Sequence, residues 1–351
     1  MKVAIIGSGL SGLSCAFELK KYGITPTIFE KKNTIGDPLD YTVLSLRMFH
    51  PYLETPMDYF EKNYNLKITS FNPLRKIMML SPNKNTIVRG NLGYIFKKNR
   101  EINSLENQIM QQVNLPIAFD QYINIRDIQN DFDHIVCANG NHEIANTFNN
   151  WTSTLNVHTR IATVVGNFKP NVVKIWVNTT YAKHTYAYLL PYSAYKANLT
   201  LIVDNTSYDE LDYYWKKFLN TEHLLYKILE TRDIEQTVGS VNTLKLGNLY
   251  FVGNAGGFLD SLLGFGSMNA IESGLMAGKC IANNLDYNKL LSPILKDLQS
   301  LHNFRKRLNT FENRDFDRLI TFLGLPIIKQ YIYNNPFCNI SKLSSFQNFF
   351  M

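Results

Sequence analysis

The fold of this chain is decided by the stretch Val3-Ala4-Ile5-Ile6-Gly7-Ser8-Gly9-Leu10-Ser11-Gly12. Its four apolar residues, 3–6, predict a buried parallel strand. The glycines fit the pattern G-x-G-x-x-G, and we expect a helix from Ser11 to about Tyr22, with Gly23 as its C-cap. A second predicted strand, Pro26 to Glu30, ends in an acidic residue. This succession of strand, glycine turn, helix and strand is typical of nucleotide-binding α/β domains.

The residue types in this turn fit the binding of a dinucleotide. Gly7 allows the tight turn, Gly9 lets a pyrophosphate approach the backbone, and Gly12 lets helix and strand pack closely. The N-terminus of the helix offers N–H groups and partial positive charge to the phosphates. Glu30 can accept hydrogen bonds from both ribose hydroxyls, and its charge disfavours a 2′-phosphate, so FAD or NAD is expected rather than NADP. The residues predicted to bind cofactor here are Gly7, Ser8, Gly9, Leu10, Ser11, Gly12, Glu30 and Lys31.

The composition is that of a globular protein. Of its 351 residues 45% are apolar and 19% are charged, so disorder is not expected and two domains can form. The net charge of +7 permits an anionic partner. The basic residues are scattered and lack the aromatic platform pattern of nucleic-acid-binding surfaces, so no nucleic acid is expected.

The four cysteines and the N-terminus indicate a compartment. No cysteine belongs to a C-x-x-C pair, so no metal site is predicted, and this usage suits a reducing environment. The first strand begins at Val3, which leaves no room for a signal peptide, and no run approaches the roughly 20 apolar residues of a membrane span. We expect a cytoplasmic protein whose contact with the inner face of a membrane, if it has one, is peripheral.

Later segments predict a sheet of a different kind. Four strand-like runs at short intervals predict antiparallel pairing: Arg160–Val165, Val172–Val177, Thr185–Leu190 and Ala197–Val203. Helices are expected at about Tyr208–Asn220 and Glu222–Thr231. A second strand and glycine loop then follow in 248–266, with a helix from about Ser267 to Leu285.

The two glycine segments together resemble the FAD-dependent oxidoreductases of the p-hydroxybenzoate hydroxylase type, and among these the geranylgeranyl reductases. The late segment reads Val252-Gly253-Asn254-Ala255-Gly256-Gly257-Phe258-Leu259-Asp260, and the family form is V-G-D-A-A-G-F-x-D-P-x-x-G-x-G. The resemblance covers most of 1–285. Asn254, Asn139 and Ser261 depart from it, because the family has Asp, Asp and Pro there. FAD binding stays expected despite these departures, because Asn can still hydrogen-bond the ribitol of FAD.

The resemblance implies further site residues. In the family, the late glycines bring the backbone close to the isoalloxazine ring. An arginine also precedes the family's helix that corresponds to the helix expected here from about Glu101 to Val113. The cofactor contacts implied in this way are Gly253, Asn254, Gly264, Gly266, Ser267 and Met268, with Lys98 or Arg100 at the arginine position. The segment 186–191 resembles the Y-x-W-x-F-P segment that lines the reductases' substrate cavity. Tyr186, Tyr188 and Leu190 are therefore predicted to line an apolar cavity.

The implied fold is α/β and has three parts. The discontinuous Rossmann-like FAD-binding domain takes 1–75, 91–150 and 235–287, the antiparallel-sheet substrate domain takes 76–90 and 151–234, and a C-terminal helical region takes 288–351. In the last region, the apolar run 319–328 and the basic residues Arg305, Lys306, Arg307 and Arg314 leave two interpretations open. The helices form a cap packed on the core, or they present a surface that touches membrane or lipid.

The function implied by the resemblance is reduction of carbon–carbon double bonds in an isoprenoid or other lipid-like apolar substrate. The electron donor would be NAD(P)H or a small electron carrier, and the helix N-terminus near Ser267 would stabilise the anionic reduced flavin. No catalytic residue is assigned; His142 and His184 are proton-donor candidates by position only. Two alternatives stay open: a flavin-dependent monooxygenase, and a flavin-binding relative without reductase activity.

Overall fold

The computed structural model describes residues 1–36, 41–49, 54–98, 101–335 and 338. In chain order the strands are β1 (Val3–Ile6), β2 (Thr27–Phe29), β3 (Tyr41–Leu46), β4 (Asn72–Leu80), β5 (Asn85–Lys98), β6 (Ile117–Ala118), β7 (His134–Cys137), β8 (Trp151–Val165), β9 (Val172–Trp176), β10 (Ala187–Pro191), β11 (Lys196–Asp204), β12 (Lys227–Val241), β13 (Lys245–Leu246) and β14 (Leu249–Phe251). The α-helices are α1 (Leu10–Lys21), α2 (Pro56–Tyr64), α3 (Leu105–Val113), α4 (Ile125–Ile128), α5 (Glu143–Thr147), α6 (Thr179–Ala182), α7 (Tyr208–Thr221), α8 (Ser267–Asn283), α9 (Tyr287–Leu308), α10 (Asn313–Leu323) and α11 (Pro326–Ile332).

A six-stranded sheet carries the N-terminal unit. Its order is β13-β14-β7-β1-β2-β6, and all neighbours are parallel except the β13–β14 pair. β1 is buried along its whole length, as its apolar run predicts, and α1 and β2 follow as expected. The helices α1 and α8 pack so closely that a Cβ at Gly274 would lie 2.1 Å from the Ser11 carbonyl oxygen. The early and late segments therefore form one Rossmann-like layer, as predicted.

The second sheet has eight strands in the order β12-β8-β11-β10-β9-β4-β5-β3. The four predicted strands are present as β8 to β11, and neighbouring strands are antiparallel except β4 and β9. At the edge, Thr42 donates both its N–H and its hydroxyl to the Asn198 side-chain oxygen of β11, each over 3.0 Å. Because this joins an edge strand to a strand in the middle, the sheet is curled.

The curled sheet extends beyond the segments that the sequence assigns to it. β3, the start of β4, the end of β5 and the end of β12 all belong to it, although they fall within 1–75, 91–150 and 235–287. The partners of β3 and of the end of β12 lie far away in the chain, so only the folded structure brings these strands together. The domain boundaries stay a prediction, although these strands extend the second sheet beyond them.

The helix predicted at Glu222–Thr231 is wrong. The chain there enters β12, which pairs with β8 over nearly its whole length, with bulges at two places. The apolar residues Leu224, Leu225, Ile228 and Leu229 have a helical spacing that suggested the wrong period. Pairing with a distant strand supplies the backbone hydrogen bonds, and this overrides the local pattern.

Helices cover both faces of the curled sheet. Ala187 and Leu189 of β10 pack against α7, while Leu190, from the other face, packs with Ile320 of α10 and with Tyr333.

The predicted C-terminal helices are present as α9, α10 and α11, and part of the tail lies outside the described residues. Of the four basic residues noted in this region, Arg305 is 3% exposed because it lies on the inner face of α9, so it is not part of an exposed basic surface. In the part of the chain that the structure describes, no helix is both long and apolar enough to cross a membrane.

Candidate functional site

The first glycine turn has one open position and two tightly packed ones. A Cβ at Gly7, whose φ is +107°, would lie 2.3 Å from the Ala138 carbonyl oxygen, and one at Gly12 would lie 2.0 Å from that of Gly7. Apart from its chain neighbours, a Cβ at Gly9 would meet no protein atom within 4 Å. Gly7 and Gly12 are thus required by packing, whereas the space beside Gly9 is free for a ligand.

Two polar features beside this turn lack protein partners. No side chain caps the N-terminus of α1, and no acidic residue lies in its first turn. The Asn139 side-chain oxygen is buried and has no hydrogen-bond partner among the described residues, and the Asn139 Cα is 3.2 Å from where a Cβ of Gly7 would stand. Buried polar atoms and helix N-termini normally have partners. The free space, the free helix end and the unpaired oxygen together fit the phosphates and sugar of a dinucleotide such as FAD.

Glu30 lies beside the same turn. Its carboxylate is 7% exposed and accepts hydrogen bonds from the Ser8 N–H and hydroxyl, each over 2.8 Å, and from the Lys32 N–H over 3.1 Å. The acid at the end of β2 therefore also organises the glycine turn. Lys31 is exposed, and Leu10 and Ser11 are buried within α1.

The late glycine segment reaches the same place. A Cβ at Gly253 would lie 2.6 Å from the Ser11 hydroxyl oxygen, and the Gly253 N–H donates to the Ser273 hydroxyl over 2.9 Å. A Cβ at Gly266 would lie 3.5 Å from the Asn254 side-chain oxygen, so Asn254 lies beside Gly266. The structure thus brings the predicted residues of the two segments together.

Asp260 folds the loop 260–266, which leads into α8. One of its side-chain oxygens accepts the N–H groups of Leu262 and Leu263 over 2.9 and 2.7 Å, and the other accepts that of Phe265 over 2.6 Å. Burial raises the pKa of Asp260 from its ordinary 3.8 to about 6, although the backbone N–H groups oppose the shift. The loop ends at Gly266, and no side chain caps the helix that follows.

A cavity of about 50 Å³ adjoins the start of α8. Gly266, Ser267 and Met268, all predicted cofactor residues, lie in its wall. Sequence reasoning missed five further residues of this wall. Glu272 belongs to α8, and the other four belong to α9: Ile294, Asp297, Leu298 and Leu301. The spacing of the α9 residues marks one helix face, but it does not say what that face meets.

Glu272 is a buried acid in this wall. It is 6% exposed and accepts a hydrogen bond from the Tyr59 hydroxyl over 2.7 Å. Burial raises its pKa, and the bond from Tyr59 opposes the shift. Its position makes it a candidate proton-holding group that the sequence pattern did not single out.

Lys98 has a protein partner. Its Nζ lies 3.2 Å from a Glu106 carboxylate oxygen, and both side chains are mostly buried. Burial disfavours its charge, but Tyr41 and Glu106 outweigh burial and raise its pKa. The resemblance implies that the positive charge of Lys98 contacts the cofactor, whereas the structure pairs this charge with Glu106. Arg100, the other candidate, lies outside the described residues.

The predicted substrate residues share a region of the curled sheet. Tyr188 and Leu190 belong to one apolar cluster with Leu263 and Phe265 of the loop, and the ring centroid of Tyr186 is 6.0 Å from that of Tyr188. The Tyr186 hydroxyl donates to the Leu263 carbonyl oxygen. None of Tyr186, Tyr188 and Leu190 lines the cavity at α8, although Phe265, from the same apolar cluster as Tyr188 and Leu190, does.

The two histidines proposed by position have other neighbours. His142 stacks on Trp151 with ring centroids 5.5 Å apart, and His184 Nδ1 lies 3.3 Å from an Asp204 carboxylate oxygen. Neither lines the cavity at α8. Within the described ranges, no three His, Cys, Asp or Glu side chains are grouped to hold a metal ion.

Comparison with known proteins agrees with this architecture. The family model of the NAD(P)-binding Rossmann-like domain matches residues 5–67. Over 120 residues the chain is 33% identical to the digeranylgeranylglycerophospholipid reductase of Methanocella arvoryzae, and the match spans 33% of this chain and 31% of that protein, about a third of its length.

Solved structures share the fold along most of the chain. A geranylgeranyl bacteriochlorophyll reductase-like protein from Thermoplasma acidophilum matches with a TM-score of 0.73 and 14% identity, covering 98% of both chains. Aklavinone-11 hydroxylase, solved with FAD and aklavinone, matches with a TM-score of 0.62 and 11% identity over 88% of this chain and 70% of that one. The predicted fold and the resemblance to geranylgeranyl reductases among the FAD-dependent oxidoreductases are confirmed.

Proposed function

We propose that this protein is an FAD-dependent oxidoreductase that reduces carbon–carbon double bonds of an isoprenoid or other lipid-like apolar substrate. The observation that carries the proposal is the convergence of the two glycine segments, with Gly253 against Ser11. This contact sets the uncapped start of α1 beside the late loop, and the space beside Gly9 is free for a ligand. The partial match to a reductase of geranylgeranyl lipids supports the substrate class.

The chain's own residues supply binding and orientation. The ADP half of FAD is assigned to 7–12 and Glu30, and the flavin end to Gly253, Asn254 and 264–268. When bound, reduced FAD supplies the hydride. The uncapped N-terminus of α8 has no acidic residue in its first turn, so its partial positive charge is available to stabilise negative charge nearby.

The surroundings of the loop favour an apolar substrate. Leu263 and Phe265 extend from the loop into the cluster that contains Leu190 and Tyr188, and Phe49 packs edge-on against Phe265 with ring centroids 5.1 Å apart. Such a surface excludes water and offers few polar groups to a substrate. A lipid-like chain placed against it would be oriented by shape and apolar contact.

The test is reconstitution with FAD followed by anaerobic turnover. A digeranylgeranylglycerophospholipid is supplied with NAD(P)H, or with dithionite in place of a small electron carrier, and the products are analysed by mass spectrometry. We expect a gain of two hydrogen atoms for each double bond reduced. The control is Gly9→Val, which should fold but retain no FAD. Flavin-loaded wild-type protein that leaves this lipid and simpler isoprenoids unreduced would contradict the proposal.

A flavin-dependent monooxygenase is the second candidate, favoured by the structural likeness to aklavinone-11 hydroxylase. Oxygen uptake by the reduced protein separates the two activities. Fast uptake that depends on substrate and yields a hydroxylated product would support the monooxygenase. A protein that binds FAD and does neither reaction would be a flavin-binding relative, in which Asn254 and Asn139 replace the family's acids.

The expected peripheral membrane contact and cytoplasmic location also remain proposals. Three exposed apolar residues at α11 would meet the lipid surface. Leu325, just before the helix, is 47% exposed, and Ile327 and Tyr331 within it are 81% and 46% exposed. Co-sedimentation with anionic vesicles tests this, with Ile327→Asp expected to reduce binding. The control is Tyr122→Asp, at a loop residue that is 80% exposed. Equal binding by both variants would contradict the contact.

A further inference from the structure

Tyr186 joins the curled sheet to the loop 260–266. It directly precedes β10, and its backbone carbonyl accepts the Ile202 N–H of β11 over 3.2 Å, so its backbone extends the end of the β10–β11 ladder. Its hydroxyl donates to the Leu263 carbonyl oxygen. A side chain from the sheet therefore contacts the backbone of the loop that leads into α8.

The bond from Tyr186 completes the hydrogen bonding around Leu263. The Leu263 N–H is held by Asp260, and the next residue, Gly264, donates its N–H to the Asp260 carbonyl over 3.1 Å. With the Leu263 carbonyl held by Tyr186, the peptide groups on both sides of Leu263 are fixed. Gly264 then turns with a φ of +70°, and Gly266 follows. The direction of the last loop residues thus depends on Tyr186 as well as on Asp260.

Helix α9 holds the backbone that leads into Tyr186. Arg305 donates from Nη1 to the His184 carbonyl oxygen over 2.9 Å, two residues before Tyr186. Arg305 is 3% exposed, and Asp204, Tyr186 and Asp260 all interact with its charge. Burial raises the pKa of Tyr186 well above 10, with Tyr188 and Asp260 adding to the shift and Arg305 opposing it. The hydroxyl therefore stays a hydrogen-bond donor over the working pH range.

We propose that Tyr186 is a positioning residue that sets the orientation of the loop 260–266, and that it is not a residue that recognises substrate. Its one hydroxyl proton is engaged by the loop backbone, so it is not available to a substrate group. The consequence for the reaction rests on the proposed function, in which the end of this loop holds the flavin. Loss of the bond should alter the flavin environment and the turnover rate while leaving substrate affinity nearly unchanged.

The first experiment uses the protein without FAD or substrate. Amide hydrogen exchange is measured for the peptide that covers 260–266 in wild type, Tyr186→Phe and Tyr188→Phe. Tyr186→Phe removes only the hydroxyl, and we expect the amides of Leu262, Leu263 and Phe265 to exchange about 5-fold faster, as loss of one hydrogen bond implies. Tyr188→Phe should leave this peptide at the wild-type rate. Unchanged exchange in Tyr186→Phe would overturn the proposal.

The second experiment uses the FAD-loaded variants. Tyr186→Phe should shift the flavin midpoint potential and lower kcat, with KM for substrate within about 2-fold of wild type. A raised KM at an unchanged potential and kcat would show that Tyr186 recognises substrate, and would overturn the proposal. A chain that takes up no FAD would instead refute the proposed function, and the exchange result would still decide whether Tyr186 orders the loop.

Discussion

Gly253 and Ser11 are in direct contact, although one belongs to the last glycine segment of the chain and the other to the first. A Cβ at Gly253 would stand 2.6 Å from the Ser11 hydroxyl oxygen and 3.0 Å from its Cβ. Gly253 also has a φ of +55°, which disfavours other residues. The contact leaves no room for a side chain between the late loop and the start of α1, so both can face one dinucleotide.

The contact predicts the effect of Gly253→Ala. The added methyl group would collide with Ser11, and the alanine backbone would have to keep an unfavourable positive φ. We therefore expect a loss of about 1–3 kcal/mol in the free energy of unfolding and weaker FAD retention. Urea unfolding and FAD titration measure the two effects. Adding Ser11→Gly removes the atoms that clash and should restore part of the stability. A fully stable, FAD-loaded Gly253→Ala protein would contradict the close contact.

Gly9 and Gly12 should behave differently when substituted. Gly9→Val should leave the thermal stability of the FAD-free protein nearly unchanged, because no protein atom beyond the chain neighbours lies within 4 Å of the added Cβ, yet it should abolish FAD binding. Gly12→Ala should instead destabilise the fold, since its Cβ would lie 2.0 Å from the Gly7 carbonyl oxygen. Thermal unfolding with and without FAD distinguishes the two. A Gly9→Val variant that retains flavin would show that the phosphates bind elsewhere.

Glu30→Ala should weaken FAD binding by about 10- to 100-fold, equivalent to about 1.4–2.8 kcal/mol, through loss of the ribose hydrogen bonds. It should also lower the free energy of unfolding by about 1–3 kcal/mol, because the buried Ser8 N–H and hydroxyl lose their acceptor. Fluorescence titration of FAD and urea unfolding report these effects. Glu30→Gln keeps one acceptor oxygen and should be milder in both. Wild-type FAD affinity in Glu30→Ala would argue against placing the ADP half here.

Asp260 predicts a pH dependence of stability. Burial raises its pKa to about 6 in the folded state, from 3.8 in its ordinary state, so between these values the folded chain keeps a proton that the unfolded chain has lost. The contribution of Asp260 to the free energy of unfolding is fully present below pH 3.8 and is lost as pH rises through about 6. Relative to Asp260→Asn, the wild type should lose up to about 3 kcal/mol over this range. Urea unfolding at a series of pH values tests the slope; a pH-independent difference between the two proteins would refute it.

Local pattern was enough to predict much of the nucleotide-binding unit. The apolar run of β1, the glycine spacing, and the acid at Glu30 all lie within one short stretch, and backbone sterics and helix geometry decide what such a stretch does. The structure agrees in the placement of Gly7, Gly12 and Glu30. The late segment was also visible, because it repeats the same kind of turn before α8.

Long-range pairing accounts for what the sequence pattern missed. The segment of β12 carries a helical spacing of apolar residues, and its strand conformation depends on pairing with β8. Arg305 stands in a run of basic residues that leaves its location open, and the structure buries it where α9 packs against the sheet. The role of Tyr186 likewise depends on Leu263, which lies far away in the chain.

The sequence by itself determined a Rossmann-like unit with a free helix end and an acid beside it, because residues close in the chain set the turn, the helix start and the strand end. Only the tertiary structure decided that Gly253 meets Ser11, that the edge of the second sheet bends back onto Asn198, and that α9 forms a wall of the cavity. These contacts join residues far apart in the chain, and their geometry follows from packing that no local pattern encodes.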